Sequence, residues 1–276
     1  MTERPPEAAG QAAVTVTSAD ADGRETPAVW MLAVEAPVQV AVNGTPFTVM
    51  LATPTDLDDL ARGLLLTEQV IASAQVIRDV EVRTWLGETL VNVVVAPDAV
   101  QTGRLGARTV LGNSACGVCG VESLAHLQAR GAAVPRPRRA VDDGAVARAL
   151  NNLSAQQPLN RATRSVHAAA WCDMGGRIAL VREDVGRHNA LDKLVGALAA
   201  RRWLDDEGFI VMSSRCSYEL VYKSSVTNAQ LLATISAPTT MALQWASALE
   251  LPLACANGRG DDLRVIRLAP ASYQEA

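Results

Sequence analysis

The chain has 276 residues, 49% hydrophobic and 20% charged, with 25 Lys and Arg against 29 Asp and Glu for a net charge of −4. That length can bury a real core as one large or two modest domains, and the acidic balance speaks against a nucleic-acid partner. No run approaches the ~20 apolar residues of a membrane-crossing helix, and the polar start at Met1–Gly10 has no secretory apolar core, so a cytoplasmic chain without a membrane partner is expected.

Residues 1–27, rich in Pro, Gly, Thr and acidic groups, read as a mobile tail. From Val29 to Val49 the pattern favours strands. Asn43-Gly44 between two alternating runs is a strong hairpin signal. Thr55 or Asp56 opens a helix through Leu66, with acidic residues in its first turn. Strands follow around Val80–Arg83 and Leu90–Val95. Aromatic residues are scarce, so Ala, Val and Leu must supply the core.

Next comes Gly112-Asn-Ser-Ala-Cys-Gly-Val-Cys-Gly120, which places Cys116 and Cys119 on a glycine-rich loop ahead of a helical pattern over Val121–Arg130. A helix N-terminus favours thiolate over thiol, and the thiolate is the nucleophile in sulfur exchange. Three chemistries remain open on the motif alone: half a zinc site, a redox pair and a sulfur carrier. Zinc needs two further ligands, yet there is no second Cys-x-x-Cys; Cys172, Cys216, Cys255 and three His are what remains. With no export signal, a disulfide framework is not expected. His126 sits in the following helix as a surface group.

Arg136-Pro-Arg-Arg139 has the composition of a linker, and Val141–Leu153 should be helical. The rhythm then changes to strand–helix alternation. Strands are expected at Ile178–Val181, Phe209–Met212, Leu231–Ile235 and from Leu251, with helices over about 189–202, 218–225 and 239–249. The whole reads as α/β (α+β overall). A small N-terminal α+β layer over 28–135 carries the cysteine loop, and a mostly parallel α/β sheet occupies 136–276.

Ligands of such sheets gather at the carboxyl ends of the strands. Four turns there carry chemistry. Arg182–Lys193 offers Asp184, His188 and Asp192; His188 and Asp192 are four apart, on a face other than the Leu191, Leu194, Val195, Leu198 stripe. The alternative is a capping and surface cluster. Ser213-Ser-Arg-Cys-Ser217 brings hydroxyls and Arg215 to a helix start, suited to phosphate, or to simple N-capping by Ser217. Ser236-Ala-Pro-Thr-Thr240 could add hydroxyls. Asn257-Gly258-Arg259-Gly260-Asp261 is a glycine loop with one cation. His167, before Ala168-Ala-Ala170 near a strand start, is more ordinarily a core histidine.

Together these segments resemble the FdhD family, the sulfurtransferase accessory proteins of formate dehydrogenase. The matching stretches are Gly112–Gly120, His167–Ala169, the long run Glu183–Gly196, Ser213–Lys223 and Ser236–Pro238, with Gly63-Leu-Leu-Leu-Thr-Glu68 in the front half. The resemblance covers about residues 30–266. It implies a cytidine-deaminase-like back half, although the zinc deaminase signature is absent here. It implies a sulfurtransferase that takes sulfur from a cysteine desulfurase onto Cys116 as a persulfide, with Cys119 assisting. The sulfur would go to the bis-molybdopterin guanine dinucleotide form of the molybdenum cofactor, for insertion into formate dehydrogenase. The nucleotide arms would be held by Ser213, Arg215, Ser217 and by Asn257, Gly258, Arg259, Gly260 and Asp261, with Asp184, His188 and His167 beside them. No permanent metal is expected, and a homodimer stays open. A cofactor-binding chaperone and a thiol–disulfide oxidoreductase are the competing classes. The family pattern has Thr-Gly-Gly where this chain has Thr163-Arg-Ser165, and a Tyr near Ile266.

Overall fold

The computed structural model describes residues 10–85, 88–101 and 137–268. It begins with a hairpin of β1 (Gln11–Ala19) and β2 (Glu25–Ala33). The first strand and the turn fall where composition suggested a tail. The alternating Val14-Thr-Val16-Thr17 run is the β signal that the surrounding Pro, Gly and acidic residues obscure. Asp20 holds the turn, its Oδ1 accepting from the amides of Asp22 and Arg24.

Strands β3 (Ala36–Val42) and β4 (Thr45–Ala52) pair around Asn43-Gly44. Both turn residues have positive φ (50° and 79°), the left-handed pair that the Asn-Gly signal implies. With β5 (Ile77–Trp85) and β6 (Glu88–Val95) they form a four-stranded sheet in the order β4-β3-β6-β5. Its inward residues Val38, Val40, Val91 and Val93 are buried, in one core with helix α1 (Leu57–Thr67).

The back part contributes α2 (Asp143–Leu153), the short α3 (Pro158–Thr163), β7 (His167–Cys172), β8 (Ile178–Asp184) and α4 (Arg187–Arg201). Then come β9 (Gly208–Met212), α5 (Tyr218–Ser224), β10 (Ala229–Thr234), α6 (Thr240–Ala248), β11 (Leu253–Asn257) and β12 (Arg264–Leu268). The six strands lie in the order β12-β11-β10-β9-β7-β8. The α/β class is as expected, but the sheet is mixed. Only β9, β10 and β11 are neighbours in parallel, while β7 and β12 run antiparallel to their partners. Strand β7 lies between β8 and β9 and opposes both, so β8, β9, β10 and β11 still point the same way. Their carboxyl ends therefore share one edge.

Every residue of β9 and β10 is buried, because helices cover both faces of the sheet. Val146 and Leu150 of α2 pack with Phe209, Val211 and Leu231 on one face. On the other face, α1, α4, α5 and α6 join Ile210, Met212 and Leu232 in the same core as the four-stranded sheet. Front and back parts thus share one continuous apolar interior. The linker expected around Arg136 begins outside the described residues.

Helices α1 and α4 cross where each has a glycine. A Cβ on Gly63 would lie 1.8 Å from the Asp192 carbonyl oxygen, and one on Gly196 would lie 1.8 Å from that of Asp59. Backbone meets backbone there, which only glycine permits. With α1 on one side and the sheet on the other, α4 is buried around its whole circumference from His188 to Ala199. The polar face expected for His188 and Asp192 is therefore interior.

Candidate functional site

The shared carboxyl edge gathers the expected turns. Strand β8 ends at Asp184, opposite His167 at the start of β7. Ser213 closes the end of β9 against β7: its amide donates to the Ala168 carbonyl (3.0 Å), and the Ala168 amide donates to its Oγ (2.8 Å). Cys216 and Pro238 form an isolated parallel bridge, which sets the second and third turns side by side. Asn257–Asp261 leaves β11 as an exposed loop. Gly258 has φ +87°, and a Cβ there would come within 2.5 Å of the Asp262 carbonyl oxygen, so glycine is required.

The capping alternatives separate cleanly. Thr239 is an N-cap, its Oγ1 accepting from the Ala242 amide at 3.2 Å. Ser217 precedes α5 but makes no side-chain cap bond; its Oγ instead lies 3.5 Å from His188 Nε2. The exposed Arg215 and Arg259 and the half-buried Arg187 supply positive charge at this edge.

Asp184, His188 and Asp192 form no surface cluster; all three are buried. Asp184 Oδ2 lies 2.7 Å from Lys193 Nζ and accepts from the Thr53 amide, while its Oδ1 accepts from the Gly186 amide and Asn189 Nδ2. Lys193 also donates to the carbonyls of Thr53 and Glu183. Asn189 reaches the Leu51 carbonyl at 2.9 Å. The turn after β8 is thus tied to the front sheet through the end of β4. Glu183 accepts from the amides of Leu159 and Asn160, fixing α3 beside it.

A second set of charges was not foreseen. Glu219 Oε2 lies 2.8 Å from His188 Nε2. One turn further, Lys223 Nζ lies 2.8 Å from Asp192 Oδ2 and 3.0 Å from Glu68 Oε1, and it donates to Thr67 Oγ1 at 2.9 Å. His188 and Asp192 are four apart on α4; Glu219 and Lys223 are four apart on α5 with the opposite charge order. The two helices therefore meet as a two-rung ladder. That reciprocal spacing is visible in the sequence once the helices are known to be neighbours.

Burial pushes the Glu219 carboxyl up, but contact with His188 and the charges of His188 and Lys223 outweigh it, despite Glu68, and hold it below the usual range. His167 is lowered by burial, then by the charges of Arg187 and His188, against Asp184. Burial, with Asp173 nearby, pushes the Cys172 thiol up to about 12; burial, with Cys255 nearby, does the same for Cys216. Cys255 is raised by burial as well. All three are free thiols. Cys116 and Cys119 lie outside the described residues. Among the described residues, no three His, Cys, Asp or Glu side chains converge as a metal site, and no helix is long and apolar enough to cross a membrane.

Comparison with known proteins adds four findings. The family model of the FdhD/NarQ family matches residues 33–266. The chain is 44% identical over 231 residues to the sulfur carrier protein FdhD of Xanthomonas euvesicatoria pv. vesicatoria, covering 84% of this chain and 82% of that one. It is 43% identical over 235 residues to the protein of the same name from Chromobacterium violaceum, covering 84% and 87%. Its fold is similar to a crystal structure described as that of a formate dehydrogenase accessory protein from Desulfotalea psychrophila. There the TM-score is 0.71 at 18% identity, over 94% of this chain and 97% of the other.

Proposed function

The chain belongs to the FdhD/NarQ family, and we propose that it carries sulfur as a persulfide on Cys116 and hands it to a guanine-nucleotide-bearing molybdenum cofactor destined for formate dehydrogenase. The observation that carries this reading is the state of the other cysteines. Cys172 and Cys216 are buried with thiols pushed up to about 12, and Cys255 is buried and raised. A thiol so held is a poor nucleophile at neutral pH, because the thiolate is the attacking form. Thiolate chemistry therefore falls to Cys116 and Cys119.

In the loading step, the Cys116 thiolate attacks the terminal sulfur of a cysteine desulfurase persulfide. The donor S–S bond breaks, the donor cysteine leaves as thiolate, and Cys116 holds the sulfur. The acceptor is substrate here. Its phosphates suit the edge where Arg187, Arg215 and Arg259 stand beside the Ser213–Ser217 turn and the Asn257–Asp261 loop. Cys119 assists, and the names of the relatives support a place in formate dehydrogenase maturation.

Incubation with a cysteine desulfurase and cysteine, followed by intact-mass measurement, tests the first step. The wild type and Cys119→Ala should each gain one sulfur, and Cys116→Ala none. A sulfur adduct on Cys116→Ala with none on Cys119→Ala would exchange the two roles.

A further inference from the structure

Strands β1 and β2 form a sheet of their own, and among the described residues neither outer edge pairs with another strand. A lone two-stranded ribbon is marginal in water; three or more strands with an apolar face are the usual minimum. At the base of the ribbon the Val34 amide donates to the Gly10 carbonyl (2.8 Å). A Cβ on Gly10 would meet the Thr53 and Thr55 methyls and the Leu159 side chain, so α3 stands at that base beside β2. Beyond it, apolar side chains meet water. Val14 pairs with Trp30 and Ala12 with Leu32, which puts Val14, Trp30 and Leu32 on one face. They are 39%, 49% and 45% exposed.

The two edges differ. Strand β2 carries Glu25 and Pro27, both of which discourage further pairing. Strand β1 has neither charge nor proline from Gln11 to Ala19, and its centre is the β-branched Val14-Thr-Val-Thr17. An edge of that kind is a template for another strand.

We propose that β1 pairs antiparallel with β1 of a second copy of this chain, joining the two ribbons into a four-stranded sheet about a two-fold axis at Thr15. A two-fold axis makes the same patch serve both subunits, and a strand meeting itself across such an axis is antiparallel. With Thr15 opposite its own copy, Val14 faces the partner's Val16. Each apolar row then runs from Trp30 through Val14 to the partner's Val16 and the partner's Ala28, following the register within each ribbon. Such β-branched pairs across strands are favourable. Nine residues paired along their length exchange about nine main-chain hydrogen bonds, close to the ~10 of an ordinary interface.

Charge favours a second copy over an unrelated strand. The tip of the ribbon carries Asp20, Asp22 and Glu25 against Arg24. Antiparallel pairing brings that acidic tip to the base of the other copy. The α3 helix at the base carries Arg161, is closed by the exposed Arg164, and contains no acidic residue.

Sedimentation equilibrium of the full chain tests this. At micromolar concentration the wild type should give twice the 29.1 kDa chain mass. Thr15 and Thr17 are exposed, on the face away from Trp30. Thr15→Lys combined with Thr17→Lys sets like charges against each other across the joint and should weaken the dimer about tenfold. Thr15→Glu combined with Thr17→Glu should do the same. An equal mixture of the two variants should regain the wild-type dimer, which also shows that both fold.

A wild type that stays at the single-chain mass overturns the proposal, and so does a dimer that neither variant weakens. Two variants that keep the wild-type melting temperature yet stay monomeric when mixed overturn it as well. A chain whose mass rises only when formate dehydrogenase is added would assign the ribbon to that protein and overturn the pairing of copies.

Discussion

Lys193 Nζ and Asp184 Oδ2 lie 2.7 Å apart with both side chains wholly excluded from solvent. Each charge is also satisfied by the backbone, Asp184 by the amides of Thr53 and Gly186 and Lys193 by two carbonyls. Such a pair adds little net stability over an apolar pair, but either partner alone is costly. Lys193→Met should therefore lose about 3–5 kcal/mol of unfolding free energy, read from urea denaturation. Lys193→Met combined with Asp184→Asn should recover part of the loss, since no lone charge remains. A double variant no better than the single one would contradict the pairing account.

The crossing of α1 and α4 makes a sharper demand. Gly63→Ala or Gly196→Ala would drive a methyl to 1.8 Å from a carbonyl oxygen, which forces the helices apart. Each should cost about 3 kcal/mol or more, at the upper end of overpacking effects. Gly175→Ala is the control, because its Cβ would meet only Asp173 Oδ1 at 3.3 Å. Equal melting temperatures for all three variants would refute the close approach.

Thiol reactivity should divide the five cysteines. A thiol titrating near 12, like Cys172 or Cys216, is thiolate in fewer than about one molecule in ten thousand at neutral pH. In native protein, an alkylating reagent should modify Cys116 and Cys119 and leave Cys172, Cys216 and Cys255 until denaturant is added. Peptide mapping reads the outcome. Rapid native modification of Cys216 would remove the cysteine argument for the sulfur-carrying loop.

Arg164 closes α3 in the left-handed conformation, φ 56°, a region that favours glycine. A side chain there carries strain of about 1 kcal/mol. Arg164→Gly should be stabilising by up to that amount, a rise of ~2–4 °C in Tm for a chain of this size. Calorimetry showing a fall instead would mean that the Arg164 side chain earns its place by other contacts.

Much of this architecture is legible in the residues. The Asn43-Gly44 hairpin, the helix after Asp56 and the alternation from Ile178 onward follow local rules, and the structure places the turns of that alternation together on one edge. What local rules miss is set by neighbours. The antiparallel placing of β7 depends on pairing across the chain, and β12 is a short edge strand whose Arg264-Val-Ile-Arg-Leu268 pattern is ambiguous alone. The interior position of His188 and Asp192 required α1 and α5 to cover a helix face that periodicity assigns to solvent. The roles of Lys193, Glu219 and Lys223 emerge only once α4 meets β4 and α5.

The glycine crossing also bears on descent. Where two backbones touch with no side chain between them, there is no cushion in which small substitutions on one helix can be absorbed. A change in the path of α1 must be matched by one in α4, and α4 follows the turn that ends β8 at the shared carboxyl edge. Chimeras that join the front of one relative to the back of another should thus fail more often than their identity suggests. The two halves are heirlooms that pass down together.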